Sequence, residues 1–248
     1  MAIYSTTVSL VTAAFNEEVD IFKTLSSWHI YLENSKDIEN FEIVIINDGS
    51  TDKTREEILK LSEKSKIHFH EFKKNLGAAA AFNAAIKKSK YNYVLIMDAD
   101  NQFPIENFKI ALNKLLEKNL LAIIGNRKYK KDNLYYALGS KISGKLANLI
   151  CGTAIPDFNC AFKLVNGELL RSLSLEAKGM NYSTEMTAKI LEVTDRVESI
   201  DVFHHHTDKK RNFKKILRSS LDRGLFVMYL AIRKIFLKLN IIYHEERK

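Results

Sequence analysis

The sequence is short of the residues that staple or punctuate a chain: of 248 residues, two are cysteine, two are proline and nine are glycine. Cys151 and Cys160 are too few for the disulfide framework of a small secreted domain, which predicts a reduced, cytoplasmic setting. With prolines only at positions 104 and 156, and no repeat or low-complexity stretch, no linker marks a domain boundary. The opening MAIYSTTVSLVTAAFNEE lacks the basic-then-apolar plan of a signal peptide. Long hydrophobic runs are also missing. The longest uncharged apolar stretch near the C-terminus, residues 224–232, is stopped by Arg233 and Lys234, well short of the ~20 residues that cross a bilayer.

What is present is a core and an uneven charge. Apolar residues make up 46% of the chain, ample for a buried interior, so disorder is excluded. The net charge of +8 is not spread evenly. Residues 1–208 hold 26 basic and 27 acidic side chains, whereas residues 209–248 hold 12 basic and 3 acidic, a net of +9. A near-neutral body with a basic tail excludes a uniformly basic nucleic-acid binder.

Short β-branched runs alternate with helical patterns over the first hundred residues, the signature of βαβ units and a mostly parallel sheet. Strands are predicted at 8–11, 42–46, 67–72, 93–97 and 121–124, with helices at 17–32, 52–62, 78–88 and 104–118. Asp52 and Pro104 supply start signals for the second and fourth helices. Further on, the pattern gives a helix over 135–150, a short apolar piece at 160–165, a helix over 182–191 and an extended stretch at 197–203. Ligands of open α/β sheets collect beyond the carboxyl ends of the strands. Three polar clusters fall there: Asn16-Glu17, Asn47-Asp48-Gly49-Ser50 and Asp98-Ala99-Asp100.

Asp98 and Asp100 follow the apolar strand YVLIM at i and i+2, so in extended backbone both carboxylates face one side. With the Gln102 amide oxygen they make a set of hard donors for a divalent cation, which would neutralise a diphosphate. A helix cap and a solvated carboxylate are the alternative for such a pair. His204, His205 and His206 offer imidazoles from an extended segment, as further metal ligands or as an exposed strand end.

The segments TAAFNEE, IINDGSTDKT, KNLGAAAAFNAA, VLIMDADNQFP, IGNRK and DFNCAFKL follow one another as in glycosyltransferase family 2. Within that family the chain most resembles the dolichyl- and polyprenyl-phosphate sugar synthases, over residues 7 to about 215. The resemblance implies a GT-A fold: a Rossmann-like, mostly parallel α/β sheet flanked by helices, here at 1–211, with a helical extension at 212–248. It also implies an inverting, metal-dependent (Mg2+ or Mn2+) transfer of a sugar from a UDP- or GDP-sugar to a lipid phosphate. A saccharide hydroxyl as acceptor, or a non-catalytic nucleotide-sugar binder, are the alternatives.

Carried over by motif, Ala13, Phe15, Glu17, Asp48 and Asp98 line the nucleotide site, and Asp98, Asp100 and Gln102 hold the metal. Arg127 contacts phosphate, with a surface arginine as its alternative. Asp157 orients the acceptor or acts as base, with turn capping as the rival role, and Glu185 is a second acidic candidate. The resemblance is imperfect: Ala13 stands where the family has proline, Asn83 where it has a late glycine, Ala161 where it has the glycine of a Gly-Phe pair, and Ala137 where an arginine is common. Lys141 is a substitute for that arginine. Lys209, Lys210 and Arg211 lie where the family has a basic loop, without its Gly-x-Ser-Lys pattern.

From Phe213 onward, apolar residues recur at three- and four-residue steps, predicting one long helix or two shorter ones. Its basic front half and apolar middle suit either packing on the body or rest on an anionic membrane surface. Oligomeric state has no sequence signal.

Overall fold

The computed structural model describes residues 6–62, 66–128, 134–176, 181–205 and 213–238. Seven strands form one sheet in the order β3-β2-β1-β4-β6-β5-β7. They are β1 (Thr7–Ala14), β2 (Asn40–Asn47), β3 (Ile67–Glu71), β4 (Tyr93–Ile96), β5 (Ala122–Arg127), β6 (Lys163–Asn166) and β7 (Val197–Val202). β6 runs antiparallel to both its neighbours and every other pairing is parallel. The six parallel strands therefore end at one edge, and β6 starts there.

Helices α1 (Ile21–Glu33), α2 (Thr54–Ser62) and α4 (Asn107–Glu117) cover one face of the sheet. Their buried Leu25, Trp28, Ile58, Phe108 and Leu112 meet Val8, Leu10, Leu95 and Leu164. The opposite face takes α3 (Ala78–Lys88), the short α6 (Gly167–Ser172) and α7 (Tyr182–Val193), through Phe82, Ile86, Leu170, Met186 and Ile190. Alternation along the strands decides which residue serves which core, so Leu95 and Met97 point to the first and Val94 and Ile96 to the second. A third cluster joins α5 (Leu134–Cys151) and α8 (Phe213–Lys238) to β5 and α7 through Ala147, Phe226, Leu230, Ile124 and Ala188.

The expected α/β sheet is present, with some differences in its elements. The first helix begins at Ile21, because residues 16–20 form a turn in which Asn16 has φ +56°. The fourth begins at Asn107, because Pro104 and Ile105 spend their carbonyls on a tighter turn, from the amides of Asn107 and Phe108. α2 starts at Thr54, where Asp52 caps it by accepting from the Thr54 backbone N–H at 3.0 Å. The tail is one long helix over its described part. Among the described residues no helix is long and apolar enough to cross a membrane.

Candidate active site

At the carboxyl edge the loops after β1 and β2 are laced together. The backbone N–H groups of Asn16, Glu17 and Glu18 donate to Ser50 Oγ, Thr54 Oγ1 and Asp52 Oδ2, and Asn16 Oδ1 accepts from the Thr51 N–H. These bonds lift Phe15, 44% exposed, clear of the core beside half-buried Ala13 and Glu17. An exposed aromatic ring on a braced loop suits stacking against a base or ribose.

Asp48 is buried and holds a third loop in place. Its Oδ1 accepts from the Leu76 N–H at 2.8 Å, and its Oδ2 from the Gly77 N–H at 2.9 Å and Asn75 Nδ2 at 3.1 Å. The carboxylate thus sits at the start of α3, where amide donors and the helix dipole favour an anion. Oδ1 carries one bond against two on Oδ2, so acceptor capacity remains on Oδ1. Gly49, at φ +69°, is required by the same junction: a Cβ there would lie 2.5 Å from the Lys74 carbonyl carbon.

β4 ends at Ile96, so Asp98 and Asp100 stand in irregular backbone rather than on a strand, and Asn101 reverses the chain at φ +58°. Strand alternation therefore does not place them together, and each is held by a partner of its own. Tyr182, the first residue of α7, donates its hydroxyl to Asp98 Oδ1 at 2.5 Å. Its ring is buried and stacked on Phe82, with centroids 4.3 Å apart. Burial, then the charges of Asp98 and of Asp100, push the Tyr182 phenol well above its usual range, which keeps it a donor. Asp100 accepts from the backbone N–H and the side-chain Nε2 of Gln102, at 3.2 and 2.6 Å.

This donor set suits a hard divalent cation: two carboxylates and an amide, anchored from behind and half-buried. Among the described residues, no three or more His, Cys, Asp or Glu side chains group so as to hold a metal ion. An open set of few protein ligands is the form in which Mg2+ is usually held, substrate phosphates and water completing the shell. The histidine segment lies against the same loop. The His205 N–H donates to the Gln102 carbonyl at 2.7 Å, and the His204 ring meets Phe103 edge-on. His206, Lys209, Lys210 and Arg211 fall outside the described residues.

Arg127, at the end of β5, and Asp157 are brought together as a fork. Nε donates to Asp157 Oδ2 at 2.7 Å and Nη2 to Oδ1 at 3.2 Å. Asp157 is 4% exposed and the Arg127 side chain 19%. Replacing Arg127 by glutamine leaves a buried carboxylate without its cation and should cost about 3–5 kcal/mol of stability. Asp157→Asn should cost less, roughly 1–3 kcal/mol, because the guanidinium can turn toward water. Urea unfolding of both variants and of the double variant checks this: the double should recover part of the larger loss, and equal single losses would contradict the asymmetry.

Beneath these groups lies a residue that the motifs did not single out. Lys163 opens β6 between Ile96 of β4 and Ile124 of β5 and is fully buried. Its Nζ donates to the Cys160 carbonyl and to Ser183 Oγ, the latter at 2.7 Å. Burial lowers the Lys163 ammonium from 10.5 to about 8 against the opposing pull of Cys160, Asp157 and Asp98, with Arg127 adding to the lowering. Lys163 therefore senses both the metal-type loop and the Arg127–Asp157 fork, which marks them as one neighbourhood. Thr184 Oγ1 donates to Asn159 Oδ1 at 2.6 Å, so the first turn of α7 braces the segment after Asp157 as well. A lone lysine in the apolar run CAFKLV was the available signal for Lys163. Tyr182 had none, since its partner is 84 positions away.

Glu185 is fully buried on α7, where it accepts from the Glu176 N–H at 2.8 Å and pairs with Lys189 at 3.2 Å. Lys189 also bonds the Ser174 carbonyl and Glu176, so this acid is part of the anchor for residues 173–176.

The comparisons with known proteins agree on the architecture. Residues 9–173 match the model of Glycosyl transferase family 2. A dolichyl-phosphate beta-glucosyltransferase of Trichomonas vaginalis is 32% identical over 180 residues, covering 67% of this chain and 55% of that enzyme. A dodecaprenyl-phosphate galacturonate synthase of Rhizobium johnstonii is 24% identical over 226 residues, covering 89% of this chain and 66% of that enzyme. The chain thus spans between about half and two thirds of these two relatives. Glucosyl-3-phosphoglycerate synthase of Mycobacterium tuberculosis, solved with Mn2+, UDP-glucose and glycerol 3-phosphate, superposes with a TM-score of 0.69 at 15% identity, over 95% of this chain and 81% of that one. With well over half of its length matched to the family and the sheet order and layers of a GT-A enzyme, the chain belongs to glycosyl transferase family 2 and is a glycosyltransferase.

Proposed function

We propose that the enzyme transfers a sugar from a nucleoside-diphosphate sugar to a polyprenyl or dolichyl phosphate, with inversion and with Mg2+ or Mn2+ at Asp98, Asp100 and Gln102. Phe15, Glu17 and Asp48 receive the nucleoside, beside Ala13. An acceptor phosphate oxygen attacks the anomeric carbon, the bond from that carbon to the diphosphate oxygen breaks, and the nucleoside diphosphate leaves with the electron pair. The cation supplies Lewis-acid stabilisation of the leaving diphosphate. Arg127, its fork held by Asp157, contributes positive charge beside the phosphates.

The observation that carries the choice of acceptor is the state of the two candidate bases. Asp157 has both oxygens bonded to Arg127, and Glu185 is paired with Lys189. A sugar hydroxyl needs a carboxylate ready to take its proton, whereas a phosphate with a second pKa near ~6 arrives as an oxyanion at neutral pH. The names of the two enzyme relatives, a dolichyl-phosphate glucosyltransferase and a dodecaprenyl-phosphate galacturonate synthase, point the same way.

The test uses the full chain with radiolabelled UDP- and GDP-sugars, with and without Mn2+. Label entering the organic phase only when polyprenyl phosphate is added is the expected result. Transfer to saccharides alone would sink the acceptor assignment. Nucleotide binding without turnover under any metal would make the chain a binding protein.

A further inference from the structure

α8 is inside out along its described side chains. Between residues 224 and 236 the sequence has two charged residues, Arg233 and Lys234, and both are turned toward the body. Arg233 is buried beside Glu192, with Nη2 and Oε2 3.3 Å apart, and Lys234 Nζ donates to the Ile150 carbonyl of α5. The outer strip is apolar instead: Leu225, Met228, Ile232 and Ile235 are each at least half exposed, at i, i+3, i+7 and i+10. The neighbouring α5 also exposes apolar side chains, with Leu146 at 46% and Leu149 at 79% exposure. A contiguous apolar strip with the charges turned inward is a surface built to be covered.

We infer that the outer faces of α5 and α8 together form a docking face for an anionic lipid bilayer. The charge selects that occupant. Lys141 and Lys145 are exposed on α5, and apart from the inward Arg233 and Lys234 residues 209–248 carry 10 basic side chains against 3 acidic. A second copy of the chain would bring like charge to like charge, whereas anionic headgroups neutralise it while the apolar strip enters the acyl boundary. The face is tied to the acceptor side of the site, since Ser143 of α5 accepts from Asn159 Nδ2 at 3.4 Å, two residues from Asp157. The tail alone is therefore not the membrane element; α5 shares the role. The biological sense of this docking rests on the lipid-phosphate reading, but its measurement does not.

The experiment is co-sedimentation of the full chain with phosphatidylcholine vesicles and with phosphatidylcholine–phosphatidylglycerol vesicles. Wild type is expected to sediment with the anionic vesicles and to be released by salt. Met228→Glu/Ile232→Glu, and separately Leu146→Glu/Leu149→Glu, should each weaken that binding about tenfold or more with an unchanged circular-dichroism spectrum and melting temperature. Wild type left in the supernatant, or undiminished binding by the α5 pair, would overturn the proposal. So would a dimer in light scattering that the same substitutions dissolve. Transfer to a short, water-soluble prenyl phosphate, run in parallel, reports on the acceptor assignment by itself, so the two failures are read separately.

Discussion

Asp100→Asn is expected to lower turnover by about 10²- to 10³-fold while the unfolding transition stays where it is. The two halves of this result have separate causes. Asparagine keeps the shape of the side chain and an acceptor for the Gln102 N–H, 3.2 Å away; the Gln102 amide, whose Nε2 is 2.6 Å from Asp100 Oδ2, meets the new Nδ2 by turning its oxygen toward it, and Asp100 is only half-buried, so little of the fold depends on its charge. The charge matters to the reaction. In the proposed reaction diphosphate departure builds negative charge at the edge of the sheet, and a divalent cation held by one carboxylate instead of two would be bound less tightly and placed less firmly. Losing a preorganised electrostatic contact of this kind costs about 3–4 kcal/mol of transition-state stabilisation, which is the stated range of rates. Steady-state rates across a Mn2+ titration check it. A residual activity whose midpoint has moved to higher metal concentration fits the role, and parent-like activity at every concentration would remove Asp100 from the metal site. Asp98→Asn is a less clean experiment because it also changes the group that Tyr182 grips.

The contrast between Asp100 and Tyr182 shows what a sequence can disclose here. Strands β1 to β5 and helices α1 to α4 were legible because each is decided by a local period and a local start or stop signal, and α3 was anticipated at its observed bounds, Ala78–Lys88. The acid pair was legible because it follows a strand. What local pattern cannot specify is lateral order: nothing in the run CAFKLV says that β6 inserts antiparallel between β4 and β5. That insertion carries Lys163 to the middle of the sheet and sets Asp157 within reach of Arg127. Both members of the fork were candidates from their motifs, but their pairing spans 30 positions and alters the role open to each. Asp157 reads as a base when taken alone and as a bound counter-ion once Arg127 is beside it. The carboxylates of Asp98 and Asp100 were expected side by side through strand geometry, and it is Tyr182, from the far end of the chain, that holds the first of them.

Lys163→Met should reveal the buried ammonium through pH. The folded chain releases the Lys163 proton at about 8, below the 10.5 of an ordinary lysine, with burial as the leading cause. Between those two values the unfolded chain binds more protons than the folded one, so the wild type gains stability as pH rises. Below pH about 8 the full penalty of a buried charge is present, and above about 10.5 it is gone; the gain across that window is on the order of 3 kcal/mol. Methionine has no charge to lose, so its stability lacks this contribution. At neutral pH the two chains should be closer, because removing the penalty is offset by taking the ammonium donor from Ser183 Oγ and from the Cys160 carbonyl, which keeps only its bond from Ser183 Oγ. Urea unfolding of both proteins at steps from neutral to alkaline pH should thus show the wild-type advantage opening as pH rises. A difference that stays flat would mean that Lys163 keeps its proton in the folded chain as an ordinary lysine does, with no lowering by burial. Turnover should fall in the same variant even where stability is matched. Ser183 follows Tyr182 on the first turn of α7, so a looser Ser183 lets the phenol leave Asp98. That loss should appear in kcat and in the Mn2+ midpoint, with little change in nucleotide affinity, since Phe15 and Asp48, the residues proposed to receive the nucleoside, are held by other loops.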